Sequence, residues 1–153
     1  MTIRYGDNYT GQYRTKPSEK FPKGESGGGR LRPIVERETL AVATAVGDRI
    51  WGPIIPAGSL VLEGFVKISK SLGATGIFEL GYLAGDDDVE DTNAFVVSAD
   101  AGGQAVFVKS DYQAAGTLKR LTTDLQLVAR CTEIMDGTVL DAVITFGVIL
   151  VND

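Results

Sequence analysis

The chain has 153 residues, a formal net charge of −5 and no histidine. This length suits one compact domain with a sizeable core, and a 44% share of hydrophobic residues excludes disorder along the whole chain. Without histidine there is no Ser-His-Asp or Cys-His catalysis and no imidazole zinc ligand, and the single cysteine excludes an internal disulfide.

Basic residues are concentrated in the first part of the chain. Residues 1–37 hold eight basic and four acidic side chains, whereas residues 38–153 hold seven basic and sixteen acidic ones. The first part also contains three prolines and the glycine run 27–29, and no hydrophobic period persists there. We therefore predict an extended arm over 1–37 and a β-rich domain over 38–153.

Aromatic and arginine side chains in the arm suggest a segment that docks on a partner. The predicted partner-binding residues of the arm are Tyr5, Tyr9, Tyr13, Arg14, Phe21, Arg30 and Arg32. A disordered tail with incidental tyrosines is the alternative. Binding to nucleic acid is not expected, because the positive charge of the arm is small and the acidic body repels phosphates. Opposite charges on arm and body favour contacts between protein subunits.

The sequence of the body predicts a series of short strands separated by Gly, Asp and Asn. The predicted strands are 38–46, 48–55, 59–69, 75–83, 94–98, 104–109, 124–133 and 139–151. About eight strands with turn signals between them are typical of an antiparallel β-sandwich, and a jelly roll is the leading topology. The predicted fold class is therefore all-β.

Two of these strands alternate clearly between apolar and polar residues. In 59–69, one predicted face holds Leu60, Leu62, Val66 and Ile68. In 124–133, one predicted face holds Leu125, Leu127, Ala129 and Cys131. Cys131 is therefore expected to be a small buried hydrophobic residue and not a reactive thiol.

The last predicted strand is apolar at nearly every position from Ala142 to Val151. Either it lies centrally under other elements, or its outer face meets another subunit. The candidate interface residues on the body are Trp51, Phe146, Val148 and Leu150. Trp51 would also suit a sugar-binding face, although packing in a core or interface is the more common use of a lone tryptophan.

No enzyme motif is present, and we predict no catalytic residue and no cofactor. The acidic run from Asp86 to Asp91 is a weak candidate for a calcium or magnesium site, with Asp86, Asp88 and Glu90 as ligands. A solvated loop, or an electrostatic partner for a basic surface, explains the run more simply. No apolar run approaches the ~18 residues of a membrane span, and the N-terminus lacks the apolar core of a signal peptide.

A series of turn and strand motifs covers about residues 47–151. In chain order these are Gly47-Asp48-Arg49-Ile50, Ile55-Pro56-Ala57-Gly58-Ser59, Val61 to Ile68, Ser71-Leu72-Gly73-Ala74-Thr75-Gly76, Leu80-Gly81-Tyr82, Asp86 to Phe95 and Ser98 to Gly103. This order resembles small virion proteins of tailed bacteriophages, and in particular capsid decoration, or cement, proteins. The arm has no counterpart in this resemblance.

The resemblance implies a compact β-sandwich that oligomerises on an assembled capsid and locks neighbouring subunits. The implied partners are the major capsid protein and further copies of the chain, as a homodimer or homotrimer, with neither nucleic acid nor membrane. The implied location is the capsid exterior, after synthesis in the bacterial host cytoplasm. Two alternatives stay open: a carbohydrate-binding sandwich with calcium at the acidic loop, and a structural component of a tail or head fibre.

Overall fold

The computed structural model describes residues 3–5, 30–40, 44–83, 90–110, 116–118, 120–135, 139 and 141–152. The strands are β1 (Ile3–Tyr5), β2 (Arg30–Thr39), β3 (Arg49–Ile55), β4 (Leu60–Ile68), β5 (Ile77–Leu83), β6 (Asp91–Asp100), β7 (Val106–Lys109), β8 (Leu125–Glu133) and β9 (Val143–Asn152). The chain forms no helix within these ranges. These residues therefore contain no helix that is long and apolar enough to cross a membrane.

The strands form two sheets. The first, which we call the β9 sheet, has the order β2-β9-β4-β7, and the second, the β8 sheet, has the order β1-β3-β8-β5-β6. All pairings are antiparallel except that of β1 with β3. Strands β2 to β9 thus have the order of a jelly roll, with β1 added at the edge of β3. The predicted antiparallel β-sandwich is confirmed.

The first strand of the sandwich lies earlier in the chain than predicted. The prediction of a strand over 38–46 was wrong, because β2 runs from Arg30 to Thr39 and pairs with β9. Residues 30–37, which we assigned to the arm, therefore belong to the β9 sheet. Two residues make this strand hard to predict from the sequence. Pro33 is compatible only with an edge strand, which is the position of β2. Glu36 is charged but fully buried, at the inward position that follows Ile34.

A β-bulge changes the predicted faces of β4. The register with β9 shifts between Val61 and Glu63, so that Val61 is fully buried while Leu60 and Leu62 are only partly buried. Beyond the bulge, Val66 and Ile68 enter the core as predicted. One extra residue is enough to move an apolar side chain to the opposite face, because side chains alternate along a strand.

The core is closed where two phenylalanines face glycines of the opposite sheet. Phe95 on β6 lies so close to Gly64 on β4 that a Cβ atom added there would be 2.5 Å from the Phe95 Cβ atom. In the reverse direction, Phe146 on β9 faces Gly52 on β3, where an added Cβ would be 2.8 Å from the ring. Both phenylalanines are fully buried. Cys131 is also fully buried within the core, as predicted.

We expect Gly64→Ala to destabilise the fold, because the added methyl meets the Cβ of Phe95 and not the movable end of a side chain. The expected loss is about 2–3 kcal/mol, as for other overpacked cores. For a domain of this size it corresponds to a fall in melting temperature of about 4–10 °C. Thermal and urea unfolding followed by circular dichroism measure both quantities.

Gly103→Ala is the matched control. An added Cβ at Gly103 has nothing within 4 Å, so this variant carries only the conformational cost of its φ of 86°, about 1 kcal/mol. Equal losses in the two variants would contradict the close contact between the sheets at Gly64.

Candidate interaction surfaces

The structure places part of the predicted arm against the chain's own sandwich. Strand β1 pairs in parallel with β3, with Tyr5 opposite Trp51 in the register. Arg30 and Arg32 lie in β2, within the β9 sheet. The other predicted anchors of the arm lie outside the described residues; these are Tyr9, Tyr13, Arg14 and Phe21. The described residues of the predicted arm lie in two strands, β1 and β2, and each of these is an edge strand of one sheet.

Trp51 lies on the outer face of the β8 sheet. Its neighbour Ile50 points into the core, so the alternation of β3 turns Trp51 outward, where it is half-buried. It pairs in the register with Val128 of β8, which is fully buried although it belongs to the same outer face. Trp51 therefore keeps an accessible portion and stays a candidate contact residue.

Three of the predicted interface residues prove to be core residues. Phe146, Val148 and Leu150 are fully buried between the two sheets, so they have no surface for another subunit. The reason is that β9 lies between β2 and β4, and these alternate positions of β9 fill the sandwich. The intervening residues Ile149 and Val151 lie on the outer face and are half-buried.

The acidic run is fixed to the sandwich at its C-terminal end. The Arg49 guanidinium on β3 donates a hydrogen bond to Glu90 Oε1 in an ion pair between these side chains. Asp86 and Asp88 lie outside the described residues. In the described ranges no three acidic or cysteine side chains converge as a metal site would require. The Glu90 carboxylate is thus engaged by an arginine, which competes with a cation for it.

A second polar cluster, which joins β5, β6 and β8, was not predicted from the sequence. Arg130 Nη1 donates to Glu79 Oε1 at 3.1 Å, and the Thr92 hydroxyl donates to the same carboxylate oxygen. Glu79 and Thr92 are buried, with 6% and 9% of their surface exposed. Pattern analysis misses this cluster because its three members are far apart in the chain and meet only through strand pairing.

Gly81 allows this cluster to form. A Cβ atom at Gly81 would lie 1.9 Å from the carbonyl oxygen of Asp91 and 2.4 Å from the carbonyl carbon of Thr92. The backbone at the start of β6 therefore crosses directly over β5 at this point, which brings Thr92 to Glu79. Together with the pair of Arg49 and Glu90, this arrangement anchors the segment that follows the acidic run.

No family model and no curated protein matches this chain. Several solved structures have a similar fold, and two of them are chains in phage capsids. One is a chain in the capsid of Ralstonia phage GP4, with a TM-score of 0.66, 14% sequence identity and coverage of 99% of both chains. The other is a chain in the capsid asymmetric unit of cyanophage Pam1, with a TM-score of 0.60, 15% identity and coverage of 91% of this chain and 98% of that one. These likenesses establish the fold.

The two ion pairs differ in burial and should differ in their effect on stability. Arg130→Ala leaves the buried Glu79 carboxylate without its cation, so we expect the free energy of unfolding to fall by about 2 kcal/mol, less than for a fully buried pair because Arg130 is partly exposed. Arg49→Ala breaks a pair whose Glu90 side chain is 39% exposed, and we expect a loss below about 1 kcal/mol.

Urea unfolding of both variants measures this difference. Glu79→Gln in the Arg130→Ala background serves as the control, since removal of the unpaired charge should recover part of the stability. A larger loss for Arg49→Ala than for Arg130→Ala would contradict the assignment of the buried cluster as the stronger anchor.

Proposed function

We propose that this chain is a structural, non-enzymatic virion protein of a tailed phage that binds the assembled capsid from outside and cements neighbouring major-capsid-protein subunits. The observation that carries the proposal is the likeness in fold to a chain in the GP4 capsid, which extends over 99% of both chains. A likeness over such a length relates the whole jelly roll, with its additional N-terminal strand, to one component of a phage capsid. The chain in the Pam1 capsid supports the same interpretation.

The position of β1 refines the part that the arm plays in this proposal. Residues 6–29 connect β1 at the edge of the β8 sheet with β2 at the edge of the β9 sheet. Fully stretched, this segment measures at most about 80 Å, so that a loop held at both ends reaches about 40 Å. This is about the diameter of a domain of this size. We therefore propose that residues 6–29, and not the whole of 1–37, contact an adjacent subunit.

Cementing by such a protein is a multivalent effect. Each copy adds a modest number of contacts, and self-association as a homodimer or homotrimer raises the effective concentration of the second contact once the first has formed. The aromatic side chains of residues 6–29 suit this purpose, because aromatic anchors contribute a large share of binding energy at protein interfaces. The anchors in question are Tyr9, Tyr13 and Phe21, with Arg14 beside them.

The binding proposal is tested with assembled shells of the phage whose genome encodes this chain, prepared without the protein. The full-length chain is mixed with these shells and sedimented through a sucrose cushion. We expect saturable co-sedimentation and a higher melting temperature of the decorated shell than of the bare one, since a ligand that binds only the assembled state stabilises it. Recovery of the protein only in the supernatant would reject the proposal.

The arm is tested by a triple variant with Tyr9→Ser, Tyr13→Ser and Phe21→Ser. We expect shell affinity to fall at least about 10-fold, because even one lost aromatic anchor costs about 2 kcal/mol. The control variant carries Asn8→Ser, Gln12→Ser and Thr15→Ser in the same segment. Affinity equal to that of the full-length wild type in both variants would show that residues 6–29 make no important contact.

A further inference from the structure

The outer surface of the β9 sheet presents an ordered set of side chains. Cross-strand pairing places its outward positions in rows across β2, β9 and β4, and two of these rows extend to β7. One further row holds Thr39 and Val143. The other four rows, which together we call the outer β9 face, are Leu31, Val151 and Leu60; Pro33, Ile149 and Glu63; Val35, Gly147, Phe65 and Lys109; and Arg37, Thr145, Lys67 and Phe107.

Most positions on the outer β9 face are apolar, and two large apolar side chains on it are exposed. Leu31 is 66% exposed and Phe107 is 56% exposed, and they stand at opposite corners of the face. Val35, Leu60, Phe65, Ile149 and Val151 between them are half-buried. With strands about 4.8 Å apart and rows about 6.6 Å apart, the four rows cover roughly 450 Å², a little over half of the ~800 Å² per partner of a standard protein interface. Apolar surface of a few hundred Å² that is bordered by polar residues is typical of interaction sites.

In the middle of the face, the ring of Phe65 lies over Gly147. A Cβ atom at Gly147 would lie 3.1 Å from Phe65 Cζ, so the ring occupies the space above β9 that a side chain would take. The Phe107 ring lies 6.1 Å from the Phe65 ring, and Lys109 Nζ lies 5.9 Å from the centre of Phe107. The result is a shallow aromatic surface with a cation at its border.

The charges on this face indicate what it binds. Arg37, Lys67 and Lys109 are all exposed, whereas the only acidic side chain in the four rows is Glu63, which pairs with Lys109 at 3.1 Å. The face is therefore basic on a protein whose net charge is −5. Two copies that met through this face would bring like charges together, while an acidic partner surface would be complementary.

We infer that the outer β9 face is the surface by which this protein docks on an assembled protein shell, and that its partner surface is apolar with acidic side chains around it. This inference rests on the proposed function and adds to it the face that is used and the chemistry of the partner. It gives the jelly roll one orientation on the shell, with the acidic remainder of the body turned away from the contact.

The test compares two double variants of the full-length protein for binding to shells. Leu31→Ser with Phe107→Ser removes both exposed apolar corners of the face. Val97→Ser with Ile134→Ser removes apolar side chains of matching exposure, 67% and 56%, elsewhere on the surface. We expect the first variant to bind at least about 100-fold more weakly, as for the loss of two interface anchors, and the second to bind as the wild type does. Unchanged melting temperatures would show that both variants fold.

A charge variant tests the chemistry of the partner independently of apolar packing. Lys67→Glu should weaken shell binding about 10-fold at low salt and make the remaining affinity less sensitive to salt, since steering by an opposite charge is screened by ions. Lys70→Glu makes the same charge change just beyond the end of β4 and should have a much smaller effect. Equal effects of Lys67→Glu and Lys70→Glu would contradict an acidic partner surface.

The outcomes separate this inference from the function on which it rests. Shell binding by the wild type together with undiminished binding by Leu31→Ser/Phe107→Ser would overturn the docking face and leave the proposed function standing. Absence of wild-type binding would overturn both. If Leu31→Ser/Phe107→Ser instead converted an oligomer into monomers, with shell affinity retained per protomer, the face would belong to a second copy and the inference would be wrong.

Discussion

The structure depends on the close approach of the two sheets at two points where a buried phenylalanine has a glycine opposite it. Phe95 reaches from the β8 sheet to Gly64, and Phe146 reaches from the β9 sheet to Gly52. Packed sheets lie about 10 Å apart, so a phenylalanine fits between them only where the facing residue is small. Because one contact runs in each direction, the two sheets are held in a single relative position. Phe95 also fits against Gly116, which fixes the connection between β7 and β8 to the same point.

This packing decides which residues remain for contact with other molecules. Since Phe146 and its alternate neighbours on β9 fill the core, the residues between them face outward. A strand that is apolar at nearly every position thus contributes side chains both to the core and to the outer surface. Only the register of the strand decides which side chains go to which of the two. Ile149 and Val151 remain half-buried on the outer side although β9 is central in its sheet. A central position therefore does not by itself cover both faces of a strand, which leaves an apolar outer surface to be explained.

Sequence patterns predicted the fold class and the elements whose apolar residues alternate regularly. Strand β8 follows the predicted alternation from Leu125 to Cys131, so that Leu127 and Cys131 are core residues as expected. Strand β2 was missed because Glu36 takes an inward position where the pattern requires an apolar residue. The faces of β4 were partly wrong because a bulge depends on pairing with β9, and local sequence does not record it. The cluster of Arg130 with Glu79 was missed for a related reason: it exists only once β5 and β8 are neighbours.

The unequal distribution of charge along the sequence acquires a different meaning in three dimensions. As a linear pattern it separates a basic arm from an acidic body, but β2 carries part of that basic segment into the β9 sheet. There Arg37 joins Lys67 in one cross-strand row, with Lys109 in the next. In the folded domain, part of the basic charge therefore lies on one face, and the net acidic charge lies on the rest of the surface. A basic, apolar face on an acidic protein discriminates between orientations: docking through this face gains from a complementary acidic surface, and docking through other faces opposes like charges. In the docking proposed above, this discrimination would make every copy bind the shell in the same orientation.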